Sequence, residues 1–571
     1  MPRLIIDGRE IEVPAGTKVI DAAARLGIMI PRFCYHEALG SVGACRMCAV
    51  KFLHGPVGGV QMSCMINAQD GMIVSTLDEE AVAFRKQVIE WLMINHPHDC
   101  PVCDEGGQCL LQDETVSGGH GLRRYLGKKR TYRDQYLGEY ISHEMNRCIH
   151  CYRCSRFYQE FAGYRDLGVM QIANRVYFGR FEDGQLESPF SGNLVDVCPT
   201  GVYTDKTSRY RVRHWDLERA PSICLHCSLG CNTVANARYR EVLRVEAGVS
   251  KTVNGHFICD RGRFGYAYAS LPERPRRAVV SGRNRTMEEA VEEAAAGLRR
   301  IGEKWGWKAV ACLGSPRSSV ETQSMLKRWA SVHEGAALHY FAEPRTEAAA
   351  RAAVASLNDE LAISLRELEK TDFILGVGVD PLNEAPMLAL AMRQAWRKGA
   401  TAALVDPRPV TLPMPFEHVP VRAGELGTWV ESLLECLTGD DLPLPQGERA
   451  GVRGEQTDIE KGAPATWAAR LRQARCPVVV CGTEIASPSL PRKIAALAGR
   501  LHELNSAVRL FFPLPGPNAF GAALLSRTGP SFDQTLSSIE RGETKALLIV
   551  ESDPLFHCSD RPRLEAALRK L

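Results

Sequence analysis

Cys34, Cys45, Cys48 and Cys64 stand in the spacing C-x10-C-x2-C-x15-C. Three thiolates in one tight loop, completed by a distant fourth, are the ligand pattern of a [2Fe-2S] centre, although the first interval is longer than the plant-type spacing. Gly40, Gly43 and Ala44 suit such a loop, because backbone amides must approach inorganic sulfide closely and small residues permit it. The competing reading is a structural zinc site or a set of buried thiols.

His96, Cys100, Cys103 and Cys109 follow as H-x3-C-x2-C-x5-C within NHPHDCPVCDEGGQC. In isolation, three thiolates and an imidazole suit zinc nearly as well as iron. The neighbouring sets shift the assignment to a histidine-ligated [4Fe-4S] cluster, with Gly106 and Gly107 letting the chain wrap a bulky cubane. His98, next to Asp99 and Cys100, is assigned to the surface or to a supporting contact.

MNRCIHCYRC then supplies Cys148, Cys151 and Cys154, and VCPTG supplies Cys198. A compact C-x2-C-x2-C run closed by a remote Cys-Pro is the pattern of one [4Fe-4S] cubane, since a two-cluster ferredoxin needs two such runs. His150 is left to the surface or to a supporting contact. Cys224, Cys227 and Cys231 in ICLHCSLGC, with Cys259 in FICDRGRFG, form C-x2-C-x3-C-x27-C. That spacing suits a further cubane, with room for a hairpin over about 235–253. Together the sets use His96 and every cysteine up to position 259, while five of the 20 cysteines are scattered beyond it. Disulfide frameworks belong to small secreted chains, so a long chain lacking an export signal points to metal chemistry.

These ligands need elements to position them. LIIDG and EIEVP read as short strands joined around Gly8 and Arg9. Thr17 is placed to cap a helix running to Leu26, which Gly27 ends. Pro31 to Cys48 reads as a loop folded around something, and the apolar spacing from Glu79 to Ile94 as a helix that His96 and Pro97 break. From about Ala278 the runs AVACLG, FILGVGV, AALVDP, PVVVCG and ALLIVES read as buried parallel strands between stretches of helical length. That alternation predicts doubly wound α/β modules. The segment 439–462 reads as a surface connection.

The 571 residues, 45% hydrophobic and 24% charged with a net charge of +3, give several domains and no electrostatic reason to expect nucleic acid. No apolar run reaches spanning length, and MPRLIIDGREIEVPAG has no export signal, so cytoplasmic residence is expected.

On these motifs the chain resembles the large iron-sulfur subunit of the peripheral arm of bacterial respiratory complex I, the G-subunit family of NADH-quinone oxidoreductase. The resemblance implies a multidomain α/β and α+β chain. Residues 1–78 would be a [2Fe-2S] ferredoxin-like β-grasp domain, and 79–120 a [4Fe-4S] domain with one histidine and three cysteine ligands. A [4Fe-4S] ferredoxin-like domain would occupy 121–219 and a molybdopterin-oxidoreductase-type [4Fe-4S] domain 220–277. The region 278–571 would be a truncated, non-catalytic α/β part of molybdopterin-oxidoreductase type, recognisable in TDFILGVGVDPLNEAPM, AALVDPRP, VPVRAGELG and KALLIVESDP. By resemblance, Cys34, Cys45, Cys48 and Cys64 hold the binuclear cluster. The cubanes at His96–Cys109 and at Cys148–Cys198 lie on the main wire from flavin toward quinone, and the one at Cys224–Cys259 lies off it.

The resemblance further implies one [2Fe-2S] and three [4Fe-4S] clusters, with FMN and NADH in a partner subunit. The expected partners are that FMN/NADH-binding subunit, a small [2Fe-2S] subunit and the quinone-proximal peripheral subunits, with the membrane arm reached indirectly and no nucleic acid bound. The chain would sit on the cytoplasmic side of the inner membrane. No G-x-G-x-x-G joins a first strand and helix in the N-terminal half, so neither NAD nor FMN is assigned here, nor any catalytic residue. No functional molybdopterin is expected. The stretch after Cys312 offers no cysteine to molybdenum, Cys312 itself reads as a core thiol on a buried strand, and the chain stops at Leu571, before the full cofactor cradle of the enzymes. Arg408 in VDPRP is read as an ion pair at a helix terminus or on the surface, not as a phosphate ligand. The alternative assembly is an NAD-linked hydrogenase or formate dehydrogenase, in which this chain would be the electron-input subunit.

Overall fold

Leu4 and Ile6 point into the core from β1 (Arg3–Ile6), which turns back into β2 (Arg9–Glu12). The turn is made by Asp7 and Gly8, with φ of 47° and 76°, one position earlier than the sequence suggests. Two successive positive-φ residues give a tight hairpin the twist of its strands. The computed structural model describes residues 1–119, 121–122, 124–438, 464–485, 487–526 and 530–571. The connection expected at 439–462 lies outside the described residues.

The chain folds as two compact units: 1–222, 233–249 and 255–270 form the first, and 223–232, 250–254 and 271–571 the second. In the first, β3 (Ala49–His54), β4 (Gly59–Met62) and β5 (Ile73–Ser75) complete a sheet ordered β2-β1-β5-β3-β4. β1 and β5 are parallel and the other pairs antiparallel. The helix α1 (Val19–Arg25) buries Val19, Ile20, Ala22 and Ala23 in the same core, which gives the expected β-grasp. Thr17 does not cap it. Its hydroxyl donates to the Pro14 carbonyl at 2.7 Å, and Lys18 takes the cap position without a capping bond from its side chain. Gly27, at φ 74°, follows the helix end.

Asp78 caps α2 (Glu79–Met93) by accepting from the Glu80 amide at 3.0 Å. Beyond it come α3 (Leu110–Ser117) and the short strands β6 (Ile141–His143), β7 (Leu167–Met170), β8 (Tyr177–Arg180) and β9 (Tyr203–Asp205). β6 pairs with β9 and β7 with β8, both antiparallel. Asn232–Arg238 and Glu241–Ala247 form the hairpin expected between Cys231 and Cys259.

The second unit contains two wholly parallel sheets. In one, Val310–Leu313 lies between Ala337–His339 and Ala546–Ile549. In the other, the order is Glu417–Val419, Thr401–Val405, Phe373–Val377, Pro477–Cys481, Arg509–Phe511. Phe373–Val377 and Pro477–Cys481 are buried at every position, as parallel strands covered on both faces must be. Cys312 is fully buried on its strand, as expected of a core thiol. No helix among the described residues is long and apolar enough to cross a membrane.

Candidate iron-sulfur centres

Cys34, Cys45, Cys48 and Cys64 are all buried, and the fold brings them together where the loop before β3 meets the end of β4. The Cys34 and Met47 amides donate to Cys45 Sγ at 3.4 and 3.5 Å. Arg46, between two of the cysteines, has φ of 59°, and Gly40 and Gly43 both have φ of 70°. Left-handed residues within a loop turn successive amides toward one side, forming a nest that favours negative charge. Thiol–thiol hydrogen bonds hold Cys34 and Cys48 below the ordinary thiol range and push Cys45 and Cys64 above it. Four thiols so placed compete for protons, and all four become thiolates together only when metal supplies the positive charge. That donor set fits a binuclear cluster.

Cys148, Cys151, Cys154 and Cys198 line one small cavity of about 10 Å³, closed by Phe178, Val202 and Tyr203 among others. His150 and Tyr152, between the cysteines, have φ of 54° and 66°, and the His150 amide donates to Cys148 Sγ at 3.3 Å. The His150 ring is half-buried and stacks on Phe178 at 5.8 Å. Tyr203 Oη bonds the Cys154 thiol and lies 3.2 Å from the Phe178 carbonyl. Burial, reinforced for Cys148, Cys151 and Cys154 by the neighbouring thiols, pushes all four thiols up, Cys151 to about 12. Such a set is stable as thiolates only around a metal group, and all four cysteines line the same cavity.

His96 is buried, and burial holds its imidazole down to about 4, hence neutral at physiological pH. Its Nδ1 is buried with no hydrogen-bond partner, a condition that suits a ring completed by a metal. Cys103 is buried, Cys109 half-buried and Cys100 exposed, and His98 is exposed as expected. Burial raises Cys109 to about 12. Lys129 bonds the His96 carbonyl, and Arg147 binds Asp99, just before Cys100, at 2.8 Å. The loop after Cys198 forms part of this neighbourhood. Cys109 Sγ lies 3.7 Å from the Pro199 carbonyl, and a Cβ added at Gly201 would overlap Cys103 Sγ.

These three sets are neighbours. One apolar cluster contains Phe33, Cys34, Cys45, Met47, Ile149 and Cys151 with Val88, Ile89 and Met93 of α2, and Cys109 packs against it. Each cysteine of the fourth set is placed within its own unit. Cys224, Cys227 and Cys231 belong to the second, where the Cys224 amide bonds the Cys231 carbonyl at 2.9 Å around a loop containing left-handed Gly230. Cys259 belongs to the first, where it precedes the short helix Asp260–Phe264; all four are buried. Among the described residues, no three His, Cys, Asp or Glu side chains converge on a point where a single ion would sit. Cluster ligands bind separate irons and do not share such a point.

Arg153, Gly201 and Tyr203 also belong to this region, and spacing alone does not reveal them. Only the glycine of VCPTG leaves a trace in the sequence, as a small residue beside a ligand. In the second unit, Arg408 is half-buried and donates to Asp406 at 2.9 Å and to Glu384 at 3.0 Å. It is therefore ion-paired, but to two buried carboxylates and not at the surface. Burial pushes Glu384 up to about 7.

Models of known families match five segments: "2Fe-2S iron-sulfur cluster binding domain" at 3–79, "NADH-ubiquinone oxidoreductase-G iron-sulfur binding region" at 85–122, and "NADH-quinone oxidoreductase subunit 3, ferredoxin-like domain" at 138–204. "Molybdopterin oxidoreductase Fe4S4 domain" matches 217–270 and "Molybdopterin oxidoreductase" 287–571. The G subunit of NADH-quinone oxidoreductase from Shewanella oneidensis is 40% identical over 603 residues, covering 100% of this chain and 65% of the relative. The proteins of the same name from Pseudomonas putida and Escherichia coli O157:H7 are 40% and 39% identical, each with 100% of this chain and 64% of the relative covered. The chain thus spans somewhat under two thirds of the length of these relatives. A solved NAD+-reducing [NiFe]-hydrogenase chain aligns with 37% of this chain and 90% of its own at 26% identity and a TM-score of 0.33, too low to bear on function. The chain carries 2Fe-2S and 4Fe-4S binding domains followed by a molybdopterin-oxidoreductase module, and with its whole length aligned to these relatives it belongs to the G-subunit family of NADH-quinone oxidoreductase.

Proposed function

We propose that this chain is an iron-sulfur electron-relay subunit of the NADH-oxidising peripheral arm of respiratory complex I, carrying single electrons from an FMN-bearing partner toward quinone. The observation that carries the reading is the cavity lined by Cys148, Cys151, Cys154 and Cys198 beside two further ligand sets in the same core. Cys34, Cys45, Cys48 and Cys64 would hold a [2Fe-2S] cluster. His96 with Cys100, Cys103 and Cys109, Cys148 with Cys151, Cys154 and Cys198, and Cys224 with Cys227, Cys231 and Cys259 would each hold a [4Fe-4S] cluster. Bound clusters supply one-electron redox chemistry, and the chain itself converts no substrate.

The protein's part is positional and electrostatic. Thiolates set the charge at each site, the backbone amides of Cys34, Met47 and His150 donate to sulfur, and apolar walls exclude water. His96 contributes a neutral ligand where the other cubane sets have thiolate. Cys100 is exposed, with Val102 and Trp215 also 59% and 67% exposed in this region, which suits an exit face for a quinone-proximal peripheral subunit. The FMN/NADH-binding subunit and the small [2Fe-2S] subunit would be its electron-donor neighbours, and the assembly would stand on the cytoplasmic side of the membrane. The five domains would run 1–78, 79–120, 121–219, 220–277 and 278–571. The last would be a scaffold without pterin, because Arg408 is already held by Asp406 and Glu384 where an anionic cofactor would need a cation.

Metal analysis of anaerobically purified protein tests the assignment. Four filled sites require about 14 irons per chain with matching sulfide, given two or four irons per cluster type. Zinc in place of iron at the His96 set of a folded, metal-replete sample would overturn that site, and copurification with a hydrogenase or a catalytic formate dehydrogenase would overturn membership of the respiratory complex.

A further inference from the structure

Arg147, Arg153 and Arg263 of the first unit are buried, at 4%, 6% and 2% exposure. Arg147 is paired with Asp99 and Glu144, and Arg263 with Asp196. Arg153 differs: no ion pair among the described residues includes it. Its Nη2 donates to the Tyr35 carbonyl at 2.6 Å, one residue beyond Cys34. Its backbone amide donates to the Cys151 thiol, and its Nε is buried with no hydrogen-bond partner. The sulfur side chains within electrostatic reach of its guanidinium are Cys151 and Cys198 of one ligand set and Cys45 and Cys34 of another.

A guanidinium keeps its proton even when buried, and an uncompensated charge in a dry core is strongly unfavourable. The compensating charge must therefore come from the two sets of thiolates. We propose that Arg153 is the shared counter-charge of the binuclear site and the Cys148–Cys198 site, a positioning residue that raises the reduction potentials of both together. This rests on the cluster assignment above. Adding an electron makes either site more negative, and a cation held at both stabilises the reduced form of each through the low-dielectric core. The His96 set is a built-in comparison, because its own arginine, Arg147, already carries carboxylates.

The test is a redox titration, followed by electron paramagnetic resonance, of the full chain prepared anaerobically as wild type, R153M and R153K. Wild-type protein lacking binuclear and cubane signals would defeat the cluster assignment and not the role of Arg153 within it. With those signals present, R153M should lower the potentials of the binuclear centre and the Cys148–Cys198 cubane while the His96 centre stays near its wild-type value, and R153K should recover most of both shifts. Unchanged potentials in R153M, equal shifts at every centre, or R153K behaving like R153M would overturn the proposal. Should R153M lose iron from the two sites, retention in R153K supports the charge role and loss in both variants refutes it.

Discussion

His96 is buried with its Nδ1 free of any protein hydrogen bond, at a position where a thiolate would bring another negative charge. His96→Cys is expected to keep a cubane but lower its reduction potential, because thiolate places more negative charge beside iron than neutral imidazole does. A redox titration with cluster incorporation verified checks this, and an unchanged potential would count against ligation by His96. At this scale the candidate ligand sets are legible in the sequence because each set is a spacing, and spacing is local. Arg153 is not, because its significance depends on the Tyr35 carbonyl, 118 residues away in sequence. The left-handed residues Arg46, His150 and Tyr152 were hidden as well. Only their position between ligands forces that conformation, and their side-chain types do not announce it.

The loop from Cys198 to Gly201 touches two candidate sites, contributing a cysteine to one set and walling another. Gly201→Ala would drive a methyl group into Cys103 Sγ, with Glu105 and Arg147 side-chain atoms each only 3.3 Å from the same point. The expected result is loss or strong perturbation of the His96-set signal, with the binuclear signal retained and stability reduced by about 1–3 kcal/mol from overpacking. Iron content, paramagnetic resonance and denaturant melts of the variant would show it, and an undisturbed His96 signal would contradict the contact. Long elements read well from the sequence: α2 ends one residue before the expected Ile94, and all five apolar runs of the second half are parallel strands. Ala337–His339, Glu417–Val419 and Arg509–Phe511 did not, because each is a three-residue strand at a sheet edge, too short for any periodicity to register.

At the scale of the whole chain, the second unit keeps the parallel sheets of an enzyme module while its Arg408 is committed to two carboxylates. A well-folded complex is therefore expected to contain little or no molybdenum, tungsten or pterin and yet to pass electrons at its normal rate. Elemental analysis, fluorescence of oxidised pterin and flavin-to-quinone turnover on one preparation decide it; near-stoichiometric pterin whose removal stops turnover without loss of iron would make this half catalytic. The end at Leu571 carries no weight here, since the chain spans only 65% of the Shewanella relative. The wall that Pro199 and Gly201 build beside Cys103 and Cys109 also has a consequence for biosynthesis. Pro199 is translated 90 residues after Cys109, an interval of about 5–20 s at ordinary ribosome speeds. Throughout it, the nascent chain already displays His96, Cys100, Cys103 and Cys109 without the segment that shelters them. Iron delivered to the ribosome-bound chain would meet an open site exposed to oxygen, so productive loading of this centre belongs after residue 201 has emerged.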